Sequence, residues 1–137
     1  MNLYPPFLGA GIRVRASADL RTFEVRMPLR RWNRNYVGTH FGGSLYMMCD
    51  PFFMLILLQG LGRGYVVWDK EATIRFRKPG RGTVRATFHV SDDRLAEIRA
   101  EVERLGKIEP VFHAEVLDEE GKVVAEVEKL LYIRKKE

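Results

Sequence analysis

The chain has 137 residues, 46% hydrophobic and 30% charged, the composition of one soluble domain long enough to bury a core and too short for two. Its single cysteine, Cys49, excludes an intramolecular disulfide, and Met1–Pro6 lacks the basic stretch and apolar run of a signal peptide, so a cytoplasmic protein is expected. A net charge of +5 suits plain solubility or an anionic partner, such as nucleic acid or a phosphate-bearing cofactor, and does not choose between them.

Alternating apolar and polar residues mark the first elements as strands. Ile12, Val14 and Ala16 alternate with Arg13 and Arg15; after a turn at Asp19-Leu20-Arg21, Phe23, Val25, Met27 and Leu29 alternate with Glu24, Arg26 and Pro28. The pair reads as an antiparallel hairpin. From Gly43 to about Leu61 the period breaks, and Leu45, Met47, Met48 and the run Phe52–Leu58 leave no polar face. Such a helix is a membrane span or a core helix wrapped by protein. Asp50, Pro51 and Gln59 interrupt a stretch that is borderline in length, which favours the core helix, with a kink expected at Pro51.

Gly60, Gly62 and Gly64 close that segment. The following strand carries Ala72, Ile74 and Phe76 on one face and Thr73, Arg75 and Arg77 on the other, then turns at Pro79-Gly80-Arg81-Gly82 into a strand with Val84, Ala86, Phe88 and Val90. Ser91-Asp92-Asp93 offers caps for an amphipathic helix carrying Leu95, Ile98, Val102 and Leu105 and closed by Gly106. Two last strands, Phe112–Val116 and Val123–Val127, flank the turn Asp118-Glu119-Glu120-Gly121, and the tail Arg134-Lys135-Lys136 is expected to fray into solvent. The order is β-β-α-β-β-α-β-β, an α+β domain with an antiparallel sheet of about six strands around one apolar helix and an amphipathic helix at the periphery.

The chemistry concentrates in Asn35–Asp50. Gly42 and Gly43 stand at the start of the apolar helix, where backbone amides without partners and a positive dipole end can hold an oxyanion. Asp50 follows seven residues after Gly43, a carboxylate within an apolar segment, whose burial beside Met48, Cys49 and Phe52 would raise its pKa and suit it to act as a base on water. The same Asp50-Pro51 pair also reads as a helix opening, with Asp50 as N-cap and Pro51 at the first helical position.

This layout resembles the hotdog-fold thioesterase superfamily, in particular its phenylacetyl-CoA thioesterase-like division. Members there read Asn-x-x-Gly-Thr-x-His-Gly-Gly with an acidic residue further along the central helix, and Asn35, Gly38, Thr39, Gly42, Gly43 and Asp50 fall at matching spacing. Ala72–Pro79 is similar to the family's central strand, and the chain looks most like a thioesterase-like branch with Gly-Thr-His-Phe-Gly-Gly and a terminal Tyr132-Ile133-Arg134-Lys135. The resemblance implies a hotdog fold, a homodimer or dimer of dimers, and hydrolysis of acyl-CoA or another acyl thioester. Asp50 would be base or nucleophile and the Gly42–Gly43 amides would polarise the carbonyl, with coenzyme A entering only as part of the substrate. One position departs: Phe41 stands where the division usually has histidine, and His40 comes one residue earlier, on the other side of an extended segment.

Asn35 is a further candidate for the site, though an asparagine here also suits tying down its own loop. Arg75, Arg77, Lys78 and Arg81 form a basic strand end, either a solvated face or a contact for coenzyme A phosphates. No aromatic residues are interleaved with them, which disfavours a nucleic-acid platform. Cys49 reads as core filler, and His40, His89 and His113 lack metal-ligand spacing, so no metal is expected. The rival class is an acyl-CoA or lipid-binding module that keeps the fold without catalysis, for which Phe41 is the main argument.

Overall fold

The computed structural model describes residues 1–137. In chain order the elements are α1 (Pro5–Ala10), β1 (Arg13–Ala16), β2 (Thr22–Met27), α2 (Gly42–Met47), α3 (Phe52–Leu61), β3 (Tyr65–Phe76), β4 (Val84–His89), α4 (Asp92–Leu105), β5 (Lys107–Ile108), β6 (Val111–Leu117) and β7 (Val123–Lys135). The strands form one antiparallel sheet in the order β1-β2-β4-β6-β7-β3, with β5 paired to β7 on the edge away from β3, beyond the end of β6. This is the expected α+β hotdog architecture, enlarged to seven strands by the two-residue β5.

Alternation dictates the layers. Phe23, Val25 and Met27 on β2, Val84, Ala86 and Phe88 on β4, and Phe112, Ala114 and Val116 on β6 all face one side and are buried there. They meet α3, where Phe52 stacks on Phe88 and Phe53 on Phe112, with Phe7 and Phe23 also against Phe52. One hydrophobic cluster of 31 buried residues results. Helix α4 adds only Leu95, Ile98 and Val102 to it and keeps its charged face outward; Ser91 caps it by accepting the Arg94 amide at 3.1 Å.

Two expectations change, the single helix and the frayed tail, while the core packing of the apolar segment is as expected. The apolar segment is not one kinked helix but two, α2 and α3, separated by Met48–Pro51, because Pro51 supplies no amide to continue the ladder. The stretch Gly42–Leu61 is apolar enough and long enough for a span, yet it packs as core helices beneath the sheet. The basic tail is not frayed: Arg134 pairs with Val66 and Lys135 with Tyr65 in the β3–β7 ladder, and the Lys136 amide donates to the Gly64 carbonyl at 2.8 Å. The N-terminus also forms a helix that the alternation analysis leaves out, opened by Pro5-Pro6 in the first turn and closed by Gly11 in the left-handed region at φ 79°.

β3 is an edge strand, and its second half is poorly covered. Ala72, Ile74 and Phe76 face the same side as the core, yet Ala72 and Phe76 are exposed and Ile74 is only half-buried. An irregularity in the register between Asp69 and Glu71 leaves Lys70 unpaired, so that Asp69, opposite Leu131, also faces inward.

Candidate active site

Helix α2 starts against the Phe76 ring of β3 and ends where the Tyr46 hydroxyl meets Lys129 of β7. A Cβ placed on Gly42 would sit 3.1 Å from Phe76 Cζ, and one on Gly43 would sit 2.5 Å from Phe41 Cε2, so glycine is what allows the two rings to close on this helix start. The Gly42 and Gly43 amides have no acceptor within the chain; the next two, of Ser44 and Leu45, donate to the Phe41 carbonyl at 3.0 and 3.1 Å.

At the other end, Asp50 sits in the break between helices. It does not cap α3, whose N-cap is Pro51 with no side-chain bond. Nor is it buried as expected: its side chain remains 45% exposed. Its Oδ1 instead accepts from Lys129 Nζ at 3.2 Å. Lys129 is 1% exposed, and its ammonium also donates to the Tyr46 hydroxyl at 3.2 Å and lies 3.3 Å from Asp69 Oδ2. The cluster thus sets two carboxylates and a phenol around one buried ammonium.

Burial pulls Lys129 toward its neutral form, but the Tyr46 hydroxyl and the two carboxylates outweigh it and hold the ammonium above the usual lysine range. Burial pushes the Asp69 carboxyl above the usual carboxylate range; Lys129 opposes this and the Asp50 charge reinforces it. Asp69 Oδ1 is buried with no hydrogen-bond partner. Cys49, beside the cluster, is fully buried, and burial pushes its thiol up to about 12, which keeps it protonated and inert as a nucleophile.

The loop before α2 is fastened from within. Asn35 Oδ1 accepts from the Val37 and Thr39 amides at 3.1 and 3.0 Å, and its Nδ2 donates to Thr39 Oγ1 at 2.9 Å, so the amide holds the loop that delivers Gly42 and Gly43. His40 is buried; its backbone amide donates to the Gly80 carbonyl at 2.9 Å and its Nε2 contacts the Gly82 carbonyl at 2.7 Å, which fixes the Pro79–Gly82 turn beside α2. Burial keeps the imidazole below the usual histidine range, hence neutral, with Nε2–H as donor.

Asp50, Gly42 and Gly43 therefore share one short helix and its flanks, with Asn35 supporting them. The basic strand end is elsewhere. Arg75 and Arg77 face the opposite side of the sheet from Lys129, and Arg77 pairs with Glu126 at 2.7 Å. Lys78 pairs with Asp118 at 2.6 Å, and Arg81 lies exposed in the turn held by His40. A concavity of about 950 Å³ also opens on that outer face among Arg75, Arg85, Glu115 and Glu128, away from the cluster. Lys129, Asp69 and Tyr46 were not singled out from sequence. Lys129 carried a signal: it falls in phase with the inward residues Val127, Leu131 and Ile133. Asp69 carried none.

Comparison with known proteins follows the fold. The model of a family described as a domain of unknown function, DUF4442, matches residues 1–133. No curated protein is detectably similar to the chain. Among solved structures, a Pseudomonas aeruginosa protein of unknown function, PA5026, described as a probable thioesterase, superposes with a TM-score of 0.83 at 26% identity, over 93% of this chain and 85% of its own. A Haemophilus influenzae thioesterase, HI1161, gives 0.71 at 18% identity over 98% and 85%, and the PaaI protein of the Escherichia coli phenylacetic acid degradation operon gives 0.65 at 18% over 99% and 87%. The chain belongs to the DUF4442 family, and its fold is that of the hotdog thioesterase-like proteins.

Proposed function

We propose that this protein is an acyl thioester hydrolase acting on acyl-CoA in the cytoplasm. The observation that carries the reading is a half-exposed carboxylate, Asp50, held by a buried ammonium at one end of α2, while two partnerless glycine amides stand at the other. Asp50 takes a proton from water as the water oxygen bonds to the thioester carbon. The carbonyl oxygen becomes an oxyanion beside the Gly42–Gly43 amides of a second copy, because those of the same chain stand at the far end of α2, about 10 Å from Asp50 by helix rise. Collapse of the intermediate releases the acid and the coenzyme A thiolate, which takes up the proton held by Asp50. Lys129 holds the Asp50 carboxylate in place through its Nζ–Oδ1 bond. Asn35 holds the loop that aims the amides.

The exposed inner face of β3, Ala72 to Phe76, with Phe41 beside it, supplies an apolar flank for an acyl chain. The same uncovered edge suits pairing with a second copy, so a homodimer or dimer of dimers is the expected form, with the site at the boundary. A basic strand end from the partner could then meet the coenzyme A phosphates, which Arg75, Arg77, Lys78 and Arg81 do not reach from within one chain.

The second reading, a binding module without catalysis, draws on Phe41, whose ring covers Gly43. One experiment separates the two. Asp50→Asn keeps the shape and removes the base, so turnover of an acyl-CoA panel should fall by about two orders of magnitude or more while the circular dichroism spectrum is retained. Equal turnover in the folded variant would eliminate Asp50 as base. No turnover in the natural protein, together with measurable acyl-CoA binding, would favour the module.

A further inference from the structure

The excess positive charge is confined to one end of the chain. Residues 1–40 contain seven arginines against Asp19 and Glu24, whereas residues 41–137 hold sixteen charges of each sign. The only ion pair made by an arginine of the first segment is Arg21–Asp92. Arg30, Arg31 and Arg34 are exposed without one.

Those three arginines flank an exposed tryptophan in a turn that is tied to the end of α1, itself carrying exposed apolar side chains. Trp32 is 70% exposed in a turn closed by the Asn33 amide on the Arg30 carbonyl and by the Arg30 amide on Asn33 Oδ1. Asn33 is buried, and its Nδ2 donates to the Ala10 carbonyl at 2.8 Å and the Pro28 carbonyl at 2.8 Å. The turn is thereby fastened to the last residue of α1. On α1 and its cap, Tyr4 and Leu8 stand four residues apart, hence on one face, and both are exposed, while Phe7 turns into the core. Leu3 beside them is 82% exposed. Asn2 ties this end to β1 through Val14, with bonds of 2.8 and 3.1 Å, and β1 is the sheet edge opposite β3. The surface is therefore separate from the edge offered above for pairing.

We infer that this face docks on an anionic phospholipid surface, with Trp32, Tyr4, Leu3 and Leu8 entering the interface and Arg30, Arg31 and Arg34 among the headgroups. Charge complementarity argues against a second copy as occupant, because a twofold contact would set the arginines of both copies against one another. The exposed aliphatic side chains of Leu3 and Leu8 gain nothing on a nucleic acid. A bilayer rewards both parts, since apolar area enters the acyl boundary, aromatic rings sit at headgroup level and each basic residue adds attraction. The inference is independent of hydrolysis: a binding module would dock the same way.

The test is cosedimentation of the full chain with vesicles of phosphatidylcholine alone and of phosphatidylcholine with roughly 30% phosphatidylglycerol. Binding to the mixed vesicles alone is expected, weakening steeply between about 50 and 500 mM salt. Arg30→Glu with Arg31→Glu and Arg34→Glu should lower partitioning about a hundredfold or more. Trp32→Ser with Leu8→Ser should lower it about tenfold or more at constant charge. All five positions are exposed, so melting temperature and sedimentation coefficient should not move. Three results would overturn the inference: no binding to mixed vesicles at low salt, binding indifferent to Trp32 and Leu8, which would make the patch a general polyanion surface, or a changed oligomeric state in the variants, which would make it a protein interface.

Discussion

Replacing Lys129 by Met tests whether the buried ammonium organises the cluster. Methionine keeps the length and packing of the lysine stem, so the change removes charge and hydrogen bonds and opens little cavity. Removing one partner of a fully buried pair costs about 3–5 kcal/mol. Here the lysine is buried, but the side chains of Asp50 and Asp69 are 45% and 23% exposed, so part of the lost interaction returns to water. An expected loss of about 2–3 kcal/mol follows, which for a domain of this size lowers Tm by roughly 10 °C. The loss has a direction in pH. Asp69, raised above the ordinary carboxylate range, holds its proton more tightly in the folded chain than in the unfolded one. Its contribution to stability is therefore complete below the unfolded pKa and disappears as pH rises through the folded one. Without Lys129 the main opposing pull is gone, so urea unfolding should show a larger deficit at about pH 7.5 than at about pH 4.5. Adding Asp69→Asn should recover most of the deficit at the higher pH. A deficit that is the same at both pH values, or one that Asp69→Asn leaves untouched, would refute the electrostatic account and leave packing as the cause.

The basic strand end is tested by Arg77→Ala with Lys78→Ala. The Arg77–Glu126 pair faces solvent, and Asp118, whose side chain is buried beside Lys78, still accepts from the Glu120 and Lys122 amides, so the fold should tolerate the change. Coenzyme A affinity should fall and lose salt dependence in calorimetric titrations; unchanged affinity would remove the phosphate role. Gly43→Glu places a carboxylate where a Cβ already crowds Phe41, forcing the exposed ring aside and setting a charge on the uncovered apolar flank. Dimer population in sedimentation velocity at micromolar concentration and thioester turnover should fall together; a 15.9 kDa monomer in the natural protein at that concentration would refute the shared site.

Period-two alternation made most of the sheet legible, because strands with one buried face leave that record in their composition. It located β1, β2, β4, β6 and the first part of β7, and cap chemistry located α4 from Ser91 to Gly106. The tail escaped because Arg134 and Lys135 look solvated by composition, while their backbones are ordered by pairing with β3, to which side-chain type is blind. Helix α1 escaped because Pro5, Pro6 and Gly9 are poor helix formers in an interior, although two prolines suit a first turn. In the site, Asp50 and the glycine pair stood out by spacing. Asp69 could not: counted back from Ala72, Ile74 and Phe76 it has the wrong parity for the inner face, and only the extra residue Lys70 turns it inward.

The division of the apolar segment at Met48–Pro51 bears on motion. α3 is ten residues long and buries five side chains, Phe52, Phe53, Ile56, Leu57 and Leu61, whereas α2 is six residues long, buries Ser44 and Leu45, and meets Phe76 at the exposed end of β3. Because the amide ladder does not run across the break, α2 can open without unwinding α3. Backbone amides of Tyr46 and Met47 should therefore exchange with deuterium well before those of Ile56 and Leu57. The residues proposed for chemistry ride on the small unit and the aromatic core on the large one, so an acyl chain could be admitted beside Phe41 and Phe76 by a local opening that leaves global stability untouched.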